Sequence, residues 1–301
     1  MEIIFLGTSE ATPTAEKNQT AILLKYNNEN ILVDCGEGTQ RQFKIAKLNP
    51  CKLTRILITH WHGDHVLGLP GLLQTLALNN YSKILHIYGP KGTKYFLTLL
   101  LKTFAFISRE KLKLEIHEIL KKETILETKD FKIEAYPMKH FAPCLAYSFI
   151  EKDRYKINIE YLKIHGIKEG PWLKELQKGK DIAVNGKKIL ASKATTLKKG
   201  KKITFIFDTL LNENCVKAAE NADLLIAEAT FFDKEHADLA KERRHLTAKQ
   251  AATIAKKAKA KELILTHISQ RYSKKEQLLL EEAKKIFKNT KLANDFMKIL
   301  L

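Results

Sequence analysis

Apolar residues recur along the chain in short runs, each followed by a polar or glycine-containing stretch and then by a segment of helical spacing. The runs lie at residues 3–6, 21–24, 31–33, 56–58, 84–88, 133–136, 203–207, 224–227 and 263–265. Short, bounded runs rich in Ile, Leu and Val predict buried strands. Helical spacing predicts helices over 37–46, 67–77, 93–104, 213–221, 247–258 and 274–287, the fifth with Thr247 as its N-cap. Alternating strands and helices predict an α/β protein. No repeat of about 20–50 residues stands out, and there is no low-complexity linker. Both ends of the chain offer strand-then-helix units whose strands close on His or Asp, as a two-lobed sandwich with its site between the lobes would.

Length narrows this little, because 301 residues suffice for one large core or two smaller domains. No run approaches the roughly 18–20 apolar residues that span a bilayer, and the first residues lack the basic start and cleavage site of a signal peptide. The chain is therefore expected to be soluble and cytoplasmic, with no membrane partner. Cys35, Cys51, Cys144 and Cys215 are scattered without a C-x-x-C pair. They read as reduced core thiols, so any metal must be held by His and carboxylate.

Charge adds a partner. The excess of 52 Lys+Arg over 34 Asp+Glu, a net +18, suits a polyanion such as nucleic acid. A surface merely rich in lysine is the plainer reading. Half of the excess falls in residues 151–202, where 15 basic residues face 6 acidic ones. Gly170-Pro171 marks a turn inside this segment, which reads as an exposed basic insertion.

The chemistry concentrates in His60, His62, Asp64 and His65, directly after the run 56–58. Ligands collect at the carboxyl ends of buried strands. His60 and His62, two apart in an extended segment, share a side. Gly63 lets the chain turn, so Asp64 and His65 can face a second position nearby. Imidazole nitrogen and carboxylate oxygen are the ligands zinc prefers. Four residues cannot fill two sites, however. His140, Asp208 and His267 each close another apolar run and are the candidates to complete them.

His60-Trp61-His62-Gly63-Asp64-His65 is the H-x-H-x-D-H signature of the metallo-β-lactamase superfamily, and its surroundings resemble the ribonuclease Z family of tRNA 3′ endonucleases over nearly the whole chain. Residues 34–41, 67–73, Asp208-Thr209 and 263–272 carry that likeness, as do Glu228-Ala229-Thr230 and His245-Leu246-Thr247. The resemblance implies a four-layer αβ/βα sandwich over residues 1–301, with a flexible tRNA-binding arm inserted at 152–182. It implies two zinc ions, one on His60, His62 and His140, the other on Asp64, His65 and His267, with Asp208 bridging. It implies that Asp64 steers or deprotonates the attacking water, and that His245, backed by Glu228, protonates the departing 3′ oxygen. It implies precursor tRNA as substrate and a homodimer. Two positions depart from the family pattern: Ala227 where a His precedes the Glu, and Lys17 where an Arg precedes Asn18. Rival readings are another dinuclear-zinc hydrolase, acting on small phosphodiesters or thioesters, and a catalytically dead RNA-binding module. His86, His117, His165 and His236 have no supporting pattern and read as ordinary surface or packing residues.

Overall fold

The chain begins in a strand and builds its first sheet within some 120 residues. Antiparallel neighbours β1 (Glu2–Gly7), β2 (Ala21–Tyr26) and β3 (Glu29–Val33) are followed by α1 (Thr39–Ile45). β4 (Arg55–Leu57), β5 (Ile84–Pro90) and β6 (Lys113–Ile119) then add in parallel. Between β4 and β5 lie α2 (Gly63–Val66) and α3 (Leu69–Leu78), and α4 (Thr93–Thr103) follows β5. A second sheet starts with β7 (Glu123–Glu127), β8 (Phe131–Met138) and β9 (Cys144–Glu151). Next come β10 (Arg154–Ile157), α5 (Ile159–Ile164), α6 (Leu173–Leu176), β11 (Ile182–Val184), β12 (Lys187–Ile189), α7 (Ala191–Ala194) and β13 (Thr195–Lys198). The second sheet resumes with β14 (Lys202–Ile206), α8 (Glu213–Ala219), β15 (Leu224–Glu228), α9 (Asp233–Arg243) and α10 (Ala248–Lys257). It ends through β16 (Leu263–Thr266), α11 (Glu276–Lys284) and β17 (Thr290–Leu292), while β18 (Lys298–Leu300) returns to the first sheet. This computed structural model describes residues 1–103, 112–168, 170–184 and 186–301.

Two compact units result. The larger comprises Met1–Leu126, Ile133–Phe149 and Lys202–Leu301, and the smaller comprises Glu127–Lys132 and Ile150–Lys201. The larger holds two seven-stranded sheets, ordered β18-β1-β2-β3-β4-β5-β6 and β17-β16-β15-β14-β9-β8-β7. One face of the first sheet buries Leu32, Ile56, Leu85 and Ile87 against helical Phe43, Leu69, Leu72, Leu73 and Leu76. The second sheet buries Leu225, Ala227, Leu263 and Leu265 against Ala218, Ala219, Ala251, Ala252 and Ala255. Alanine on the helices lets α8 and α10 lie close to the strands. Leu145 N donates to Thr59 O at 2.9 Å, Tyr147 Oη donates to Ile58 O at 2.8 Å, and the Tyr26 and Phe149 rings meet edge-on at 5.2 Å. These contacts join the two sheets just past the end of β4 and at the end of β2.

The smaller unit carries its own apolar cluster of Leu162, Ile167, Leu176, Ile182, Ile189, Ala191 and Ala194. Two antiparallel pairs, β10 with β13 and β11 with β12, frame it. Asn158 caps α5 by accepting from Tyr161 N.

The strand and helix pattern read from the sequence is present, and Thr247 caps α10 in a full capping box with Gln250. Some boundaries and elements differ. Ile58 lies beyond β4 rather than in it, and the helix expected from residue 67 begins at Leu69 after the separate turn α2. Phe104, the expected end of the third helix, and Glu169 lie outside the described residues. No periodicity had indicated α9 or the edge strands β6, β7, β17 and β18, whose sequences mix charged and apolar positions. Among the described residues no helix is long and apolar enough to cross a membrane. Replacing Tyr147 by Phe leaves the buried Ile58 carbonyl without its donor and should cost about 1–3 kcal/mol in denaturant unfolding; an unchanged midpoint would show that this bond does not hold the sheets together.

Candidate metal centre

Each donor of the centre stands at or just beyond the end of a strand in the larger unit. β4 leads to His60 and His62, and α2 carries Asp64 and His65. β8 leads to His140, β14 to Asp208 and β16 to His267, while β15 ends on Glu228 itself. The seven residues expected as metal ligands fall into two groups, His60–His62–His140–Asp208 and Asp64–His65–Asp208–His267, with the donor atoms of each within 4.8 Å of one another. Asp208 belongs to both. Its Oδ2 lies 3.3 Å from His60 Nε2, 3.5 Å from His65 Nε2 and 3.9 Å from His140 Nε2, while its Oδ1 lies 3.2 Å from His267 Nε2. Asp64 Oδ2 sits 3.3 Å from both His65 Nε2 and His267 Nε2.

Hydrogen bonds behind the imidazoles assign their tautomers. A backbone carbonyl only accepts, so His140 Nδ1 donates to Arg244 O at 3.0 Å and its Nε2 carries the lone pair. Thr59 Oγ1 donates to Asp34 Oδ2 and is therefore left to accept from His60 Nδ1 at 3.1 Å. Thr230 Oγ1 likewise donates to Glu228 Oε2 and accepts from His267 Nδ1 at 2.9 Å. His65 Nδ1 donates to Asp34 Oδ2 at 2.7 Å. The inward nitrogens then face one another, His65 Nε2 to His267 Nε2 and His140 Nε2 to His62 Nδ1, both at 3.2 Å. Among the described residues, buried His60 Nε2 and Asp208 Oδ1 have no hydrogen-bond partner. Orphaned buried acceptors are costly unless a cation lies among them. Donors about 2.0–2.1 Å from a tetrahedral ion stand about 3.3 Å apart, so the donor set fits a divalent metal.

Backbone strain accompanies this convergence. Asp34, Asp208 and His267 have φ of 57°, 38° and 55°, a region non-glycine residues rarely occupy. Gly36, two residues after Asp34, has no room for a side chain, because a Cβ there would stand 2.6 Å from Asp64 O.

Electrostatics divides the donors. Burial resists ionisation of Asp208, but the imidazoles of His267, His65 and His60 outweigh it and hold the carboxyl well below its usual range. Asp64 is pulled down against burial by His65 and His267. Burial lowers His140 to about 4 and, with the neighbouring His60, lowers His62, leaving both neutral and ready to ligate. His245 behaves oppositely. Burial alone would lower it, yet the Glu228 and Asp208 carboxylates raise it to about 9. Its Nδ1 lies 2.8 Å from Glu228 Oε2. Glu228, fully buried, also accepts from Thr209 N at 2.7 Å, so its carboxylate is fixed while it orients the imidazole. Arg244, left-handed at φ 57°, ends α9 and aims the next residue, His245, at the centre.

Asp34 is the residue that sequence reasoning quoted without a role. It is fully buried, takes Thr59 N and Oγ1 on its two oxygens, and fixes His65 from behind. Its position just after β3 was the available signal, since the donors follow their strands in the same way. Phe141 is exposed beside His140 with the Arg244 guanidinium over its ring, whereas Tyr272 is buried and holds Phe232 N and His236. His165 stacks on Tyr161 in the smaller unit. Ala227 packs in the core beneath α10, and Lys17 is tied to Glu276 at 2.5 Å.

Comparison with known proteins gives a consistent picture. A family model described as Anti-Pycsar protein Apyc1 matches residues 1–157, which take in strands β1 to β6 of the first sheet and donors up to His140. Over the whole length the chain is similar to proteins named ribonuclease Z. That of Pyrococcus horikoshii is 40% identical over 303 residues, covering 100% of this chain and 96% of the other. That of Methanothermobacter thermautotrophicus is 39% identical over 300 residues, covering 99% and 96%. Among solved structures, the short form of human tRNase Z superposes with a TM-score of 0.71 at 30% identity, covering 100% of this chain and 99% of that one. YhfI of Bacillus subtilis, a metallo-β-lactamase fold protein, also gives 0.71, at 19% identity over 99% and 98%, and so shows the fold.

Substituting Asp34 by Ala frees the far side of His65 and should weaken divalent-metal affinity about 10–100-fold. Chelator competition reads this directly, and unchanged affinity would remove Asp34 from the centre's support.

Proposed function

As the chain belongs to the ribonuclease Z family, we propose that it is an endoribonuclease that removes the 3′ trailer from precursor tRNA, leaving a 3′-hydroxyl on the tRNA and a 5′-phosphate on the trailer. The observation that carries this reading is the half-buried His245, paired with buried Glu228, standing against a carboxylate, Asp208, shared by two imidazole-rich groups. In-line phosphodiester hydrolysis needs charge neutralisation, a directed water and a proton for the leaving oxygen. The same chain offers a group suited to each.

His60, His62 and His140 would hold one zinc ion and Asp64, His65 and His267 a second, with Asp208 between them. Zinc bound there would supply positive charge for the scissile phosphate and acidify water near neutral pH. Asp64 accepts the proton of the attacking water. His245, kept protonated by Glu228, gives a proton to the departing 3′ oxygen. Residues 152–182, the arm, would hold the tRNA body through shape and phosphate contacts. Support for this comes from the basic excess of residues 151–202 and from a groove of about 670 Å³ whose apolar floor is edged by Lys156, Lys163 and Lys168. The family resemblance further suggests a homodimer working in the cytoplasm, where precursor tRNA would be met.

A 3′-extended precursor tRNA should be cut once, at the 3′ side of the acceptor stem, and chelator should abolish the cut. End mapping distinguishes this from random nicking. Metal-loaded protein that leaves the tRNA intact but hydrolyses small phosphodiesters or thioesters would overturn the tRNA reading in favour of the rival hydrolase. Asp208→Ala should release both ions, whereas His140→Ala should mainly weaken one; unchanged metal content in Asp208→Ala would refute the bridge.

Raising pH should deprotonate His245 and slow cleavage. In the metal-free protein this group titrates at about 9, and bound cations lower that value. Glu228→Gln removes the main raising influence, so the alkaline limb of the rate profile should move to lower pH. A limb that stays in place would mean that another group donates the proton.

A further inference from the structure

A second cluster of metal-type side chains lies apart from this centre, on β5 and on β6, the last strand of the first sheet. Parallel pairing sets His86 opposite Glu115 and Tyr88 opposite His117. Glu115 and His117 are two apart on one strand and share a face, the one opposite the face that carries core-packed Leu85, Ile87, Leu114 and Ile116. His86 Nδ1 lies 3.2 Å from Glu115 Oε2 and 3.3 Å from His117 Nε2, with 4.0 Å between His117 Nε2 and Glu115 Oε2. Their exposures are 27%, 51% and 40% for His86, Glu115 and His117, so an ion from solvent can reach them.

We infer that His86, Glu115 and His117 form a surface site for one divalent transition-metal ion, with zinc the ion of choice. Two imidazole nitrogens and one carboxylate oxygen are borderline donors that favour zinc, copper or nickel over magnesium or calcium. Their separations bracket the about 3.3–3.4 Å expected between donors of a tetrahedral ion at about 2.0–2.1 Å. Tyr88 stacks on the His117 ring at 4.4 Å and 15°, which fixes that imidazole's plane. Burial first, then His86, keeps His117 below its ordinary value, so it is neutral and able to ligate at physiological pH. Arg55, opposite His86 on β4, is the nearby cation that would oppose binding, and it is paired with Glu29. Three protein donors leave a fourth position facing solvent for water or another molecule's side chain. The cluster lies within β5 and β6, whereas the donors of the first centre stand at or beyond strand ends, and the two groups share no residue.

The test is zinc content. Full-length protein and its His86→Ala and His117→Ala variants are dialysed against micromolar zinc and analysed for bound metal, with thermal melts to verify folding. Each variant should carry one zinc equivalent fewer than the unsubstituted protein while cleaving precursor tRNA at the same rate. The comparison between variants does not depend on how many ions the catalytic centre holds or on what it cuts. Glu115→Gln, which keeps the shape but loses the charge, should weaken the extra ion at least tenfold in chelator competition. Equal zinc content in all three folded proteins overturns the site.

Discussion

Imidazoles and carboxylates crowded together at the strand ends are the constraint around which the larger unit is organised. His65 Nε2 against His267 Nε2, and His140 Nε2 against His62 Nδ1, stand at 3.2 Å. Four of the rings, His60, His65, His140 and His267, are held from behind. The holders are Thr59, Asp34, the Arg244 carbonyl and Thr230, which occupy the outer nitrogens and so turn the inner ones toward the centre. The left-handed backbone at Asp34, Asp208 and His267 is the accompanying strain, which the packed sheets beneath them sustain.

Donors are divided between the sheets, and this couples the centre to folding. The first sheet brings four of them in a single turn, His60, His62, Asp64 and His65. The second contributes His140, Asp208 and His267 from three separate strands. Neither group is complete until Leu145, Tyr147 and Phe149 on β9 have locked onto β2 and the end of β4. Metal affinity is therefore also stability, and a cavity far from the centre can lower metal content by loosening the contact between sheets. Glu228 at the end of β15 and His245 just after α9 belong to the same larger unit as Asp208.

The smaller unit concentrates basic charge around a core that has seven buried apolar residues among those described. Its lysines are mostly exposed and several are paired with single carboxylates, as Lys178 and Lys180 with Glu175 and Lys188 with Asp181. Exposed pairs of this kind contribute little to stability, and the unit's cationic character remains available to a polyanion.

The sequence by itself determined the strand ends and the donors that close them. Each apolar run reports local burial, and His60, His140, Asp208 and His267 each follow one, so the α/β pattern and the seven ligand-type residues could be read without coordinates. Glu228 and His245 were legible only through family likeness, since neither has a spacing that marks it. Tertiary structure alone decided the support behind the imidazoles and the meeting of His86 with Glu115 and His117. Those three lie on strands whose outward positions are charged, so no apolar period identifies the strand β6, and residues 29 and 31 apart become neighbours only through the register of a parallel sheet. Local patterns encode which face is buried; they do not encode which distant residue stands opposite, because that follows from the packing of whole strands.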